Sequence, residues 1–211
     1  MIKVFIVDDH EIFREGLKRI ISKCSDIKVV GEAADASSCM RQVLSGDLEI
    51  DVFLLDISLP GRNGIEVLKE LKSHLTLPRV LILSMYSEDQ YAVRALRAGA
   101  SGYINKETAP QVLIEAIRKI HNGGRYVSPE LAEKLIDYID VFVDIASHEL
   151  LSDREYEVMC LIASGKTVSE IAAQLSLSPK TISSVRSRIL KKMGMRTNAE
   201  LTHYAVVKGL V

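Results

Sequence analysis

The chain has 211 residues, is 47% hydrophobic and 26% charged, and sets 27 Lys and Arg against 28 Asp and Glu for a formal net charge of −1. This is an ordinary soluble, globular balance, with room for one large domain or two small ones. No apolar stretch approaches the ~20 residues a bilayer span needs, and Cys24, Cys39 and Cys160 are odd in number without C-x-x-C pairing, so membrane-spanning, disulfide-framed and zinc-centred classes are set aside. Met1-Ile2-Lys3-Val4 enters a strand pattern without a signal-peptide layout, so cytoplasmic residence is expected.

From the N-terminus, strand-like runs are read at 2–7, 27–33, 52–55, 79–84 and 102–105. Between them lie helix-like segments, with Ile12, Leu17, Ile20 and Ile21 as the stripe of the first and Ile65, Leu68 and Leu71 that of the third. Continuous apolar runs are what strands buried on both faces show, and the alternation with helices implies parallel pairing and right-handed crossovers. The expectation is an α/β, doubly wound, five-stranded parallel sheet over residues 1–122. Pro60-Gly61-Arg62-Asn63-Gly64 supplies turn chemistry between two of its elements.

After Asn122-Gly123-Gly124 the strand pattern stops. Pro129 at a helix start, followed by Leu131, Leu135, Ile139 and Phe142, predicts a linker helix ending near Asp144 within a linker of residues 123–147, the alternative being a sixth helix packed in place on the first domain. From Ser152 onward the pattern is helical. Ser152-Asp153-Arg154-Glu155 is a capping box, Gly165 closes the first helix, and Val168 to Leu175 makes a short second one. Ser178-Pro179 opens a third helix that runs to about Met193, before Gly194, and Asn198 is placed as the cap of a fourth that ends at Gly209. A small all-α, four-helix domain with a helix-turn-helix is therefore expected over residues 148–211.

Asp8, Asp9, Asp56 and Lys106 each follow an apolar run. If those runs are parallel strands, the four charges meet at the carboxyl ends, where open α/β sheets place their chemistry. Any one of these aspartates alone reads as a helix cap, but together they describe a site. Two carboxylates and a backbone carbonyl suit a hard cation such as Mg2+ beside a phosphate oxygen. A carboxylate is also a competent nucleophile toward phosphorus. Lys106 and the Ser84 hydroxyl can each neutralise a phosphoryl oxygen.

Val7-Asp8-Asp9-His10, Leu54-Leu55-Asp56-Ile57-Ser58-Leu59-Pro60-Gly61, Asn63-Gly64, Leu83-Ser84 and Gly102-Tyr103-Ile104-Asn105-Lys106 occur in that order, and the chain here resembles the receiver domains of two-component response regulators, which have a flavodoxin-like fold. The resemblance implies that Asp56 is the phosphoacceptor, serving a sensor histidine kinase. It implies that Asp9 binds Mg2+ directly, that Asp8 acts through water, and that Asp56 and the carbonyl of Ser58 complete the ligand set. It also implies that Ser84 moves toward the phosphate and Tyr103 follows inward. Many receivers have Pro after the lysine; here Glu107 stands there, so a cis-proline is not expected.

Residues 148–211 carry nine basic and six acidic side chains, and no acid occurs between Glu170 and Glu200. Such a block on a near-neutral chain points to nucleic acid. On the third helix Ile182, Ile189 and Met193 share one face, and Lys180, Ser184, Ser187, Arg188 and Lys191, with Ser183 at one edge, share the opposite one. That face suits a major groove, Ser and Arg meeting base edges and Lys the phosphates. Arg186 is assigned a phosphate or an intramolecular partner. Leu151-Ser152-Asp153-Arg154-Glu155, Ile162-Ala163-Ser164-Gly165-Lys166, Glu170-Ile171-Ala172 and Ser178-Pro179-Lys180-Thr181-Ile182 are similar to the DNA-binding domain of NarL/FixJ, or LuxR-type, regulators. Within that family the pieces Ser178-Pro179-Lys180-Thr181 and Ala199-Glu200-Leu201-Thr202-His203-Tyr204-Ala205 look closest to the GacA/BvgA-like branch. The resemblance adds Thr181 to the DNA-contacting set, and implies a homodimer when phosphorylated, with RNA polymerase as a further partner; it suggests Asn198–Lys208 as the dimer helix, the alternative being that the apolar face of this segment is plain core.

The expected function is a two-component response regulator, not an enzyme, in which phosphorylation of Asp56 switches dimerisation and promoter-DNA binding. An autoinducer-binding regulator would need an aromatic-lined cavity, and this chain has no Trp and 5% aromatics. A phosphatase of the aspartyl-phosphate type would carry an acid where Ser58 stands. A regulator that binds DNA without phosphorylation stands as the remaining alternative.

Overall fold

In the computed structural model the described residues are 1–75, 78–86, 88–133 and 147–211. The chain forms two compact units, Met1–Ala132 and Glu133–Val211.

The first unit alternates β1 (Ile2–Val7), α1 (Glu11–Ile21), β2 (Ile27–Ala33), α2 (Ala36–Leu44), β3 (Val52–Asp56), α3 (Gly64–His74), β4 (Arg79–Ser84), α4 (Glu88–Ala98), β5 (Gly102–Asn105) and α5 (Pro110–His121). The five strands are parallel, in the order β2-β1-β3-β4-β5. Every residue of β3 is buried, as its unbroken apolar run requires of a central strand covered on both faces. The order reverses between β1 and β3, so a crevice opens at their carboxyl ends. The doubly wound sheet expected from the sequence is the one found.

Helix α1 corrects one detail. Ile12 is 89% exposed, and Phe13 packs on the core beside Leu17, Ile20 and Ile21. At 100° per residue Phe13 lies 40° from Leu17 whereas Ile12 lies 140° away, so the stripe begins one residue later than the apolar letters suggest.

The expected boundary at 122 falls inside the first compact unit. Tyr126 forms a parallel bridge with Gly102, its N–H donating to the Ser101 carbonyl at 2.9 Å and its carbonyl accepting from Tyr103 N–H at 3.2 Å. This single residue covers the outer edge of β5, whose main-chain groups would otherwise lie open. Gly102 permits the approach, since a Cβ there would lie 2.6 Å from the Tyr126 carbonyl oxygen. A helical turn follows at 129–133, opened by Ser128, whose Oγ accepts from Leu131 N–H at 3.1 Å. The rest of the predicted linker helix, including Leu135, Ile139 and Phe142, lies outside the described residues.

The second unit has a 3-10 turn (Ser147–Leu150) and helices α6 (Asp153–Ala163), α7 (Val168–Gln174), α8 (Pro179–Met193) and α9 (Asn198–Val207). Ser152 and Glu155 form the expected capping box on α6, and Thr167 with Glu170 forms a second on α7. Ser178 caps α8 ahead of Pro179, and Gly194, at φ 67°, ends it in the left-handed region that favours glycine. The cap of α9 is Thr197, not Asn198: the Thr197 side chain accepts from Glu200 N–H at 3.2 Å. Asn198 is the first helical residue, and its side chain is occupied by Arg186, as described below. Tyr156, Val158, Ile171, Ile182, Ile189 and Leu201 form the middle of this unit's core.

Candidate functional site

The register brings the predicted residues together. β3 pairs Asp56 with Leu83 of β4, and β4 pairs Ser84 with Asn105 of β5, so Asp56, Ser84 and Lys106 leave neighbouring strands at one end of the sheet. Asp8 leaves β1 on the other side of β3. Asp8 and Asp56 are nearly inaccessible, at 1% and 2% exposure, whereas the Asp9 side chain is 31% exposed. Lys106 Nζ lies 2.6 Å from Asp8 Oδ2 and 2.7 Å from Asp56 Oδ2. One ammonium therefore serves two buried carboxylates, which leaves an excess of negative charge at the mouth of the crevice.

The electrostatics follow. Burial pushes the Asp56 carboxyl above its ordinary value; Lys106 opposes the shift and Asp8 adds to it. For Lys106 burial works against the charge, but Asp56 and Asp8 outweigh it and hold the ammonium above its ordinary range. Asp8, Asp9, Asp56 and His10 present ligand atoms that all lie within 4.8 Å of one another. Oxygen donors so close, on carboxylates only partly compensated, fit a hard divalent cation such as Mg2+.

The loop that carries the acceptor is tightly specified. Ser58 N–H donates to Asp56 Oδ1 at 3.2 Å, and Gly64 N–H to the Ile57 carbonyl at 2.7 Å. Asn63 is fully buried, and its Oδ1 caps α3 by accepting from Ile65 N–H at 2.9 Å. At Gly64 a Cβ would stand 2.0 Å from the Asp56 carbonyl oxygen, so no side chain fits there without moving the acceptor's own backbone. Ser84 is fully buried, with its Oγ accepting from Tyr86 N–H at 3.1 Å. Tyr103 is also fully buried, and its hydroxyl donates to the Tyr86 carbonyl at 3.0 Å. Burial pushes its phenol above the usual range, with Ser84 opposing. The aromatic expected to follow Ser84 inward is thus inside already in this conformation. No cis peptide bond occurs among the described residues, Glu107 included.

Two side chains escaped the sequence reading. His10 Nδ1 lies 2.8 Å from Asp9 Oδ1 and 3.3 Å from Asp8 Oδ1, so an imidazole borders the carboxylates. Phe13 places its ring 4.7 Å from Lys106 Nζ, a cation–π contact that holds the ammonium from the side of α1. Adjacency to the aspartates was a signal for His10. Nothing in a linear sequence pairs Phe13 with Lys106.

In the second unit the outward face of α8 is as expected. Lys180, Thr181, Ser183, Ser184, Ser187, Arg188 and Lys191 are all exposed, opposite buried Ile182, Val185, Ile189, Leu190 and Met193. Three carry internal contacts as well: Thr181 Oγ1 meets Ser178 Oγ at 2.8 Å, Ser184 Oγ donates to the Lys180 carbonyl at 3.0 Å, and Arg188 Nε lies 3.7 Å from Glu155 Oε1. Arg186 Nε donates to Asn198 Oδ1 at 2.5 Å, the intramolecular partner assigned to it above. Lys192 lies beyond the exposed stripe and pairs with Glu155 at 2.6 Å.

The sequence matches the response regulator receiver domain over residues 4–118 and the bacterial regulatory proteins of the luxR family over residues 149–205. It is 36% identical to the response regulator UvrY of Escherichia coli K12 across 100% of this chain and 96% of that protein. It is 34% identical to the response regulator GacA of Pseudomonas aeruginosa across 100% of this chain and 98% of that one. Among solved structures it is similar to RcsB of Salmonella enterica serovar Typhimurium bound to promoter rprA in the presence of phosphomimetic BeF3−. That likeness has a TM-score of 0.63 at 27% identity, covering 98% of this chain and 99% of RcsB. No described helix is long and apolar enough to cross a membrane. With a receiver sheet, a LuxR-type helical unit and end-to-end likeness to UvrY and GacA, the chain belongs to the NarL/FixJ-type response regulators, a family of transcription regulators rather than enzymes.

Proposed function

We propose that Asp56 accepts a phosphoryl group from the phosphohistidine of a sensor kinase and that this switches the second unit's dimerisation and its binding to promoter DNA. A carboxylate oxygen of Asp56 attacks phosphorus while the P–N bond to the kinase histidine breaks and the imidazole leaves. Little covalent work falls to the protein, so the residues act by placement and charge. Lys106, poised between Asp56 and Asp8, neutralises one phosphoryl oxygen, and the Ser84 hydroxyl donates to another. Asp8, Asp9, Asp56 and the Ser58 carbonyl would hold Mg2+, which when bound offsets charge on the phosphoryl oxygens. Ser84 and Tyr103 report the change to the surface through the segment that holds Tyr86.

The reading assigns the receiver function to residues 1–122, a linker to 123–147 and DNA binding to 148–211. Lys180, Thr181, Ser183, Ser184, Ser187, Arg188 and Lys191 face the major groove, α9 is the dimer contact, and RNA polymerase is the downstream partner of a regulator acting in the cytoplasm. The RcsB structure on its promoter supports the DNA assignment by similarity.

The observation that carries the proposal is the joint burial of Asp8, Asp56 and Lys106 at the carboxyl ends of the strands. Intact mass after incubation with Mg2+ and a small acyl-phosphate donor tests it: the wild type gains one phosphoryl group and Asp56→Ala gains none. Equal gain in both would remove Asp56 as acceptor.

A further inference from the structure

The Asp8-Asp9-His10 turn presents two of the three clustered carboxylates, and its main chain is held at three points. Asp8 N–H donates to the Ala33 carbonyl at 3.1 Å, and His10 N–H donates to Asp8 Oδ1 at 2.9 Å. The third constraint comes from α1. Arg14 Nη1 donates to the Asp8 carbonyl at 2.8 Å while its Nε faces Glu32 Oε2 at 3.3 Å. Glu32 stands on β2 in register with Ile6 of β1 and also receives Lys18 Nζ at 2.9 Å. The Arg14 side chain is only 14% exposed, although Glu32 is 38% exposed. Lys18 and Arg14 hold the Glu32 carboxyl below its ordinary value, against the opposing effect of burial.

We propose that Arg14 is a positioning residue of the cation site: by holding the Asp8 carbonyl, with Glu32 as its own anchor, it sets the turn from which Asp8 and Asp9 reach the pocket. A guanidinium has donors and no acceptor, so Arg14 cannot ligate a cation and acts only through the main chain of Asp8. Its planar fork is what allows one side chain to reach both a carbonyl and a carboxylate. Without it, the Asp8 carbonyl, just past the end of β1, loses its partner beside a buried side chain, and the turn relaxes to satisfy it. Groups that orient the ligands of a metal in this way set its affinity as strongly as some ligands do.

The inference rests on the reading of the pocket as a Mg2+ site, and its test needs no phosphoryl transfer. Calorimetric titration of the full chain with Mg2+ compares wild type with Arg14→Gln, Arg14→Lys, Glu32→Gln and Arg118→Gln. Arg14→Gln is expected to raise the Mg2+ Kd about tenfold, and Arg14→Lys and Glu32→Gln by less, about threefold. Arg118→Gln removes the two-pronged ion pair with Asp26, remote from the turn, and leaves Kd unchanged. If Arg14→Gln does not fold, Glu32→Gln, which leaves the arginine in place, carries the test. A Kd in the Arg14 and Glu32 variants equal to that of wild type, or an equal rise in Arg118→Gln, overturns the inference. A wild type that binds Mg2+ but takes no phosphoryl group overturns the proposed function alone. A wild type that binds no Mg2+ overturns both.

Discussion

The two charged regions of this protein are assembled differently. At the end of the sheet, Asp8, Asp56 and Lys106 are almost wholly removed from water, and each touches another at 2.6–2.7 Å. Along the outward face of α8, Lys180, Arg188 and Lys191 stand in solvent, and Arg188, with 64% of its side chain exposed, approaches Glu155 only to 3.7 Å. Buried charges depend on one another, because each was desolvated on the terms of its partner. Exposed charges act nearly independently and are screened by salt. The receiver site should thus respond to a single substitution as a unit, whereas the α8 face should respond by increments.

The sharpest attempt to break that contrast is Lys106→Ala. Two buried carboxylates would lose their shared cation, and the first unit should lose about 3 kcal/mol or more at neutral pH without Mg2+, read by urea denaturation. A loss like that of an exposed lysine would end the distinction. Asp56→Asn should act in the opposite direction. The folded state binds the Asp56 proton more tightly than the unfolded chain does, so the charged side chain costs stability in full above its raised folded pKa, and the cost shrinks as pH falls from there toward the usual 3.8 and is gone below it. The variant is expected to be more stable than wild type by about 1 kcal/mol at pH 7, with the difference gone near pH 3 and no phosphoryl uptake at any pH.

Glu155 lies between the two extremes. Burial raises its pKa, but Lys192 and the Ser152 main chain outweigh that and hold it below 4.5. Its contribution is therefore full above pH 4.5 and lost as pH falls through the lower folded value. Glu155→Gln should cost the second unit about 1 kcal/mol at pH 7 and nothing in strong acid, followed by thermal unfolding across pH. The smallest effect on stability belongs to Lys191→Ala. It should leave the melting temperature unmoved, weaken DNA binding alike on specific and random duplexes, and flatten the salt dependence by about one counterion.

The strands and the site residues were legible because both leave marks along the chain. Apolar runs without alternation identified strands covered on both faces, and the charged residues after Val7, Leu55 and Asn105 then had only one place to meet. Ser178-Pro179 and Gly194 delimited α8 because each satisfies or frees main-chain groups that a helix end leaves open. What stayed hidden are contacts made by main-chain carbonyls and by partners distant in sequence. Thr197 rather than Asn198 caps α9, and the Asn198 amide oxygen accepts instead from Arg186, one helix earlier. Arg14 on Asp8, Phe13 on Lys106 and Tyr126 on β5 are likewise single contacts between elements, and none of them adds to a periodicity.

The bridge made by Tyr126 bears on where the phosphoryl-accepting half can be separated from the rest. A fragment ending at residue 122 keeps all five strands and the clustered Asp8, Asp9 and Asp56, yet it leaves β5 with bare N–H and C=O groups beside Tyr103. Such an edge pairs readily with a second copy of itself. Dimers of that fragment would report on the missing selvedge rather than on phosphorylation, and a fragment ending after Ala132 would not carry that ambiguity.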